Sequence, residues 1–358
     1  MSENMENCKI TRDLLIMHCK NYPKLQIQDL FKYLYQSSFG CEHLVSSLDT
    51  VTDYIAKEYN TIQGESKISI EGLDGNYSRV HLSYLNGGLS IDTFGKLFFS
   101  SARKEADGLC LLEKKLEVTK KLMYEGMLPF TADLFEKAVD DWKTKGYPAV
   151  HHSDIFRNEY KPAYRVISND FIPFLPLFAE LDKKLSAGSV TLAIEGGSAS
   201  GKTTLSKLLE KLYDCTVFHM DDFFLQPHQR TAERFAEVGG NVDRERFLEE
   251  VLQPLSEGEV VSYRRFDCQN LKIQEAVQIQ PKKLTVIEGA YSMHPELADF
   301  YDLSVFLDIN SELQKKRIEK RNTPQLAKRF FSEWIPLEKK YFDFTNIKKR
   351  CSMVINIT

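Results

Sequence analysis

Little in this 358-residue chain marks it for the outside of a cell, for a membrane or for a nucleic acid. The seven cysteines (Cys8, Cys19, Cys41, Cys110, Cys215, Cys268 and Cys351) are odd in number, scattered, and never spaced as CxxC. That spacing argues against a disulfide framework or a cysteine metal knuckle, and the expectation is reduced thiols in a cytoplasmic protein. Positive charge is not in excess either, the formal net charge being −4. No global field draws the chain to nucleic acid or to an anionic membrane, so any phosphate site has to be local. Long apolar runs are also missing. The greasiest stretch, "DFIPFLPLFAEL", is short and holds two prolines, and the opening "MSENMENCKITRD" is polar without an apolar core. The expectation is therefore neither a membrane span nor an export signal. No repeat or low-complexity segment occurs, and 42% hydrophobic with 27% charged residues is the balance of an ordinary folded protein.

What is present falls into two halves with different periodicities. Up to about residue 185 the spacing is helical: Leu30, Phe31, Leu34 and Tyr35; Leu111, Leu112, Leu116, Leu122 and Met123; Leu134, Phe135, Ala138, Val139 and Trp142. One strand is predicted over "YSRVHLSYL" (77–85), where apolar and polar residues alternate. A helix following the prolines at 173 and 176 ends in the small-residue connector "KKLSAGS". We place the boundary near residue 187, between a mainly helical α+β domain over 1–187 and a second domain over 188–358. Beyond it, apolar β-branched runs alternate with amphipathic helices: "VTLAIEG", "TVFHM", "LTVIEG", "LSVFLDI" and "SMVINI". Strands that are apolar throughout and separated by helices predict a five-stranded parallel sheet covered on both faces.

The segment "IEGGSASGKTT" joins the first of these strands to the helix "KTTLSKLLEKL". Gly196, Gly201, Lys202 and Thr203 fit GxxxxGK(S/T) in the strand-loop-helix context that this motif requires. A loop so short of side chains (Gly196, Gly197, Ser198, Ala199, Ser200, Gly201) lets backbone N–H groups turn inward around a polyphosphate, and the positive end of the helix adds to the attraction. Lys202 then reaches the β- and γ-phosphates of ATP. The Thr203 hydroxyl serves Mg²⁺, and Thr204 completes the phosphate-binding run. The bland alternative is a glycine-rich turn with a surface lysine.

The second strand runs into "VFHMDDFFLQP", which puts Asp221 and Asp222 at a strand's carboxyl edge, where α/β sheets bind ligands. Adjacent carboxylates in a turn point in different directions, so one of the two faces the triphosphate. It can take the proton of an attacking hydroxyl and assist Mg²⁺, or both can simply cap the turn. Glu288 ends the third strand at the same edge and is either a capping carboxylate or a group for Mg²⁺.

"GGSASGKTT", "HMDDFF" and "VIEGAYSMHPELADFYDLSVFLD" together resemble the uridine kinase, phosphoribulokinase and nicotinamide riboside kinase group of P-loop kinases, over residues 190–358. The resemblance implies that Asp221 is the catalytic base and a metal-assisting carboxylate, and that Glu288 holds Mg²⁺ through water. Asp222 falls at a position that varies in the group. In "INSELQKKRIEKRN", Arg317 and Arg321 share a helix face that on its own reads as a solvated surface. The resemblance makes this helix the lid whose arginines stabilise the transferred charge, with Arg329 a further candidate. Asp243 in "GGNVDRERF" matches a ribose-binding aspartate and is equally a good N-cap for the helix after it. Phe266 in "YRRFDCQNLK" stands where uridine kinases have a tyrosine, and no histidine follows. A phenyl ring stacks on a base without hydrogen-bonding to it, which argues against uridine itself and leaves a nucleoside-like or other ribose-bearing acceptor.

In the first half, His43, His81, His151 and His152 lack metal-ligand spacing and read as structural. Lys161, Tyr164 and Arg165 form either an anion contact or a proline-punctuated loop. The resulting expectation is an ATP- and Mg²⁺-dependent kinase of a small-molecule acceptor, with no nucleic-acid or membrane partner. A second reading, a nucleotide-sensing regulatory protein whose first half passes a signal to a partner, stays open. So do the acceptor, ATP against GTP, and a homo-oligomer.

Overall fold

A computed structural model describes residues 2–41, 47–62, 68–103 and 105–358, with side chains from Lys9 onward. The chain divides into two compact units, Met1–Ile172 and Pro173–Thr358. The division falls ahead of the boundary placed near 187, because the helix Leu175–Ala187 belongs to the second unit. It buries Leu175, Leu177, Phe178 and Leu181, and Tyr213 from beyond the loop helix donates to Asp182 at 3.0 Å. No described helix is long and apolar enough to cross a membrane.

The first unit contains helices α1 (Ser2–Asn21), α2 (Ile27–Phe39), α3 (Leu48–Tyr59), α4 (Ile91–Ser101), α5 (Gly108–Tyr124), α6 (Ala132–Thr144) and α7 (Asp154–Tyr160). Their starts are written locally. Ser47, Ser90, Thr131 and Ser153 each accept from the N–H three residues on, satisfying a donor that would otherwise be orphaned. An antiparallel sheet accompanies them, in the order β1 (Ile70–Gly72), β2 (Tyr77–His81), β3 (Tyr164–Ser168). Strand β2 is shorter than the predicted 77–85. His81 Nδ1 accepts from Ser83 N at 3.1 Å and starts a 3₁₀ turn over Leu82–Gly87, so the alternation there is not strand.

Between these elements lies a buried polar network. Glu71 on β1 takes a bond from His18 Nδ1 on α1 (2.6 Å) and one from Arg79 Nη1 on β2 (3.0 Å), while Arg79 Nε donates to Gln36 of α2 (2.9 Å). The Arg79 guanidinium also lies over the rings of Tyr33 and Tyr164. Asp29 accepts from Ser153 and pairs with His152 Nδ1 at 2.9 Å. A carboxylate only accepts, so Nδ1 carries the proton and Nε2 accepts from the Tyr164 hydroxyl at 2.7 Å. Charges this deep persist only because each is paired or hydrogen-bonded, Glu71 to Arg79 and Asp29 to Ser153 and His152. His152 thus serves this network and His81 caps a turn, while His43 lies outside the described residues. Among those residues, no group of three or more His, Cys, Asp or Glu is placed to hold a metal. Arg165 pairs with Glu58 at 2.7 Å.

The second unit opens with α8 (Leu175–Ala187), then β4 (Val190–Gly196), α9 (Lys202–Leu212) and β5 (Cys215–His219). Short helices α10 (Ala232–Ala236), α11 (Arg244–Phe247) and α12 (Gln253–Glu257) lead to a hairpin of β6 (Val261–Asp267) and β7 (Lys272–Ile279). There follow β8 (Leu284–Glu288), β9 (Leu303–Ile309), α13 (Ser311–Arg321), α14 (Pro324–Arg329), α15 (Ile335–Thr345), α16 (Ile347–Arg350) and β10 (Met353–Ile357). The five expected strands form one parallel sheet in the order β10-β9-β4-β8-β5. Strand β4 is central, and the chain crosses it between β8 and β9. The carboxyl end of β4 is thus the switch point at which a doubly wound sheet opens a ligand crevice.

Candidate active site

Sheet register brings the site together. Ile194 of β4 pairs with Glu288 of β8, which pairs in turn with His219 of β5. The loop after Ile194, the Glu288 side chain and the turn after His219 therefore leave the sheet at one level and on one edge. A parallel ladder with in-register ends produces this with no contribution from sequence proximity.

The loop after β4 has the backbone that its composition anticipates. Gly196 has φ 147° and Gly201 φ 104°, and a Cβ added at Gly196 would meet the Leu307 carbonyl at 2.7 Å. Helix α9 begins at Lys202, so its positive end faces the loop. Lys202 Nζ donates to the carbonyls of Gly196 (2.9 Å) and Gly197 (3.0 Å), which arches the loop over the ammonium.

Across the crevice, the Thr203 hydroxyl donates to Glu288 Oε1 at 2.9 Å and His219 Nδ1 lies 2.7 Å from the same oxygen. Burial alone would raise the Glu288 pKa, but His219, Lys202 and Thr203 outweigh it and hold the carboxyl below its ordinary range. The bond to Glu288 raises His219 in return. Asp221 sits within electrostatic reach of Lys202, Glu288 and His219. Crowding by protein atoms lifts its pKa, Lys202 opposes the rise, and Glu288 and Asp222 add to it. Asp221 is nevertheless exposed to solvent, so part of the lift is screened. Asp222 turns the other way, toward Arg265 at 3.5 Å.

The remaining predicted residues divide. Arg317 Nη1 donates to the Ala199 carbonyl at 3.2 Å and so touches the loop. Arg321 instead lies over the Phe330 ring at 5.8 Å, and Arg329 pairs with Glu333 at 3.2 Å. Asp243 is buried, caps α11 by accepting from Arg246 N, and pairs with Arg246 Nε at 3.2 Å. That is the N-cap alternative of its two readings. Phe266 is only 5% exposed and Arg230 covers its ring at 5.7 Å, so a base would stack there only after Arg230 moved aside.

Three residues of the site belong to no motif in the sequence. His219 reads there as part of an apolar strand. Glu195, the residue before the loop, is fully buried: Oε1 accepts from Gly196 N and Tyr291 N, and Oε2 from Met293 N and the Tyr341 hydroxyl. Burial pushes its pKa up to about 7 against those donors and Lys202. Glu338 of α15 binds Ser198 from 140 positions away, and only its tertiary neighbours reveal it. One carboxylate inside an apolar run, as in "LAIEGG", was the available hint for Glu195.

A central strand ending in a phosphate loop at the switch point of a five-stranded parallel sheet defines a P-loop nucleotide-binding fold. Residues 191–325, in the C-terminal half of the chain, match the family model described as the phosphoribulokinase / uridine kinase family. This chain is similar to uridine kinase-like protein 3 of Arabidopsis thaliana, 23% identical over 176 residues, which are 42% of this chain and 38% of that protein. It is similar to the uridine kinase of Staphylococcus haemolyticus, 24% identical over 148 residues, 39% of this chain and 71% of the other. Among solved structures, one described as a possible uridine kinase from Bacillus stearothermophilus aligns over 49% of this chain and 99% of its own, at 22% identity and a TM-score of 0.37. The chain spans well under half the length of the first curated relative it matches.

Proposed function

We propose that the second unit is a kinase transferring the γ-phosphate of ATP to a hydroxyl of a small nucleoside-like or other ribose-bearing metabolite. The observation that carries this reading is the meeting of Lys202, Thr203, Glu288 and Asp221 on one sheet edge, from three different strands. A hydroxyl and a carboxylate 2.9 Å apart form a hard oxygen set. It fits Mg²⁺, which keeps several waters and needs few protein ligands. When bound, the metal neutralises phosphate charge. Thr203 and Glu288 are the residues that would hold it.

The chain's own part in the reaction is positioning and charge. The loop and Lys202 hold the triphosphate tail at the positive end of α9. Asp221 accepts the proton of the acceptor hydroxyl as that oxygen attacks, and a pKa lifted above that of an ordinary aspartate makes it the better base. Arg317 adds positive charge beside the loop. The relatives' names supply the substrate class, while Phe266, whose ring cannot hydrogen-bond to a base, and the lack of a following histidine argue against uridine itself.

Purified protein with ATP, Mg²⁺ and a panel of nucleosides and sugars, followed by ADP release, tests the proposal. Asp221→Asn is expected to lower turnover about a hundredfold or more while ATP binding persists. Unchanged turnover in this variant would favour the nucleotide-sensing reading, and no acceptor raising ADP release above the blank would sink the kinase reading.

A further inference from the structure

A loop made of glycine and small residues has almost nothing with which to hold its own shape. Each backbone residue left unfixed has to be ordered when a ligand binds, at a cost in conformational entropy. The shape has to be imposed from outside. Ser198, the third residue of the loop, is held by all of its polar atoms: its N–H donates to Glu338 Oε2 at 2.9 Å, its hydroxyl to Glu338 Oε1 at 2.5 Å, and its carbonyl accepts from Gln314 Nε2 at 2.9 Å. Glu338 and Gln314 are themselves buried, at 5% and 8% exposure. One turn further along α15, the Tyr341 hydroxyl donates to Glu195 at 3.2 Å. Residues 338 and 341 share a helix face, and their spacing matches that of 195 and 198 on the chain they grip. The fit is close enough that a Cβ at Gly197 would meet Gln314 Nε2 at 3.1 Å and Glu338 Oε2 at 3.4 Å.

We propose that Glu338 is a positioning residue for ATP: from α15 it locks Ser198 and so preorganises the phosphate loop before nucleotide arrives. Gln314, on the helix at the other end of the segment 322–334, completes the clamp, so both helices that bracket this segment are tied to the loop. The carboxylate acts because a charged acceptor holds N–H and O–H donors about twice as strongly as a neutral one. A latch is the opposite reading, in which a carboxylate sits on phosphate-binding donors and keeps ATP out. The two readings predict opposite signs.

The inference rests on the P-loop reading and is tested on the full chain by ATP titration calorimetry, with steady-state kinetics on whichever acceptor turns over. Glu338→Gln keeps the shape and removes the charge. It is expected to weaken ATP binding about tenfold, with the acceptor KM within about twofold and the melting temperature little changed. Ser198→Ala deletes one partner and leaves α15 untouched, so it carries the test should the glutamine variant fail to fold; about threefold weaker ATP binding is expected. In the double variant the losses do not add, because both weaken the same Glu338–Ser198 contact. Tighter or unchanged ATP binding in these variants overturns the inference. A wild-type protein that binds no ATP sinks the nucleotide reading itself, a distinct result.

Discussion

The buried histidines of the first unit, His152 above all, make acid the sharpest probe of how that unit is held. His152 is 7% exposed, and burial lowers its pKa from 6.5 to about 4 even though Asp29 pulls it upward. The folded unit thus keeps His152 neutral in a range where the unfolded chain takes up a proton. With a depressed folded pKa, the stabilisation is complete above 6.5 and is lost as pH falls from 6.5 to 4. At 1.36 kcal/mol per pH unit the loss is about 3 kcal/mol, a large share of a domain's stability. His18 and His81, also lowered by burial, add to it in the same direction. The assay is urea unfolding at several pH values, with Trp142 as the reporter. This residue is buried against Phe31 in the first unit, and Trp334→Phe silences the other tryptophan. His152→Gln is expected to flatten the pH dependence to what His18 and His81 leave, whatever it does to stability at pH 7. A wild-type stability that stays level between pH 7 and 4.5, or a variant with the same slope, would refute the reasoning.

Two substitutions in the second unit check other steps. Gly196→Ala forces a Cβ to within 2.7 Å of the Leu307 carbonyl at a φ that L side chains avoid. It is expected to cost about 2 kcal/mol or more in thermal unfolding and to raise the ATP KM at least tenfold. Asp243→Ala removes a buried cap and one of the two carboxylates paired with Arg246, which keeps Glu250, so a loss of about 1–2 kcal/mol in denaturant unfolding is expected. An unchanged stability combined with a raised acceptor KM would favour the ribose-binding reading of Asp243.

Much of the second unit was legible because its signals are local. An apolar run followed by glycines, a lysine and an amphipathic helix names a strand, a loop and a helix start within some twenty residues, and α9 begins at the lysine of the motif. The β6–β7 hairpin escaped because strand β7 is mostly exposed and its residues carry no alternation of burial to read. The 3₁₀ turn after β2 escaped because its apolar spacing mimics a strand, and only the His81 cap breaks the pattern.

Local composition thus determined that this chain would carry a phosphate loop at the end of a buried strand, since backbone freedom at glycine and the helix start are properties of neighbouring residues. Tertiary structure alone decided what surrounds that loop. Glu288 joins Thr203, and His219 joins Glu288, through the register of parallel strands. Glu338 reaches Ser198 only because α15 folds back across the sheet edge. Such pairs leave no trace in the sequence, because their worth comes from burial and geometry, which exist only once distant segments have packed.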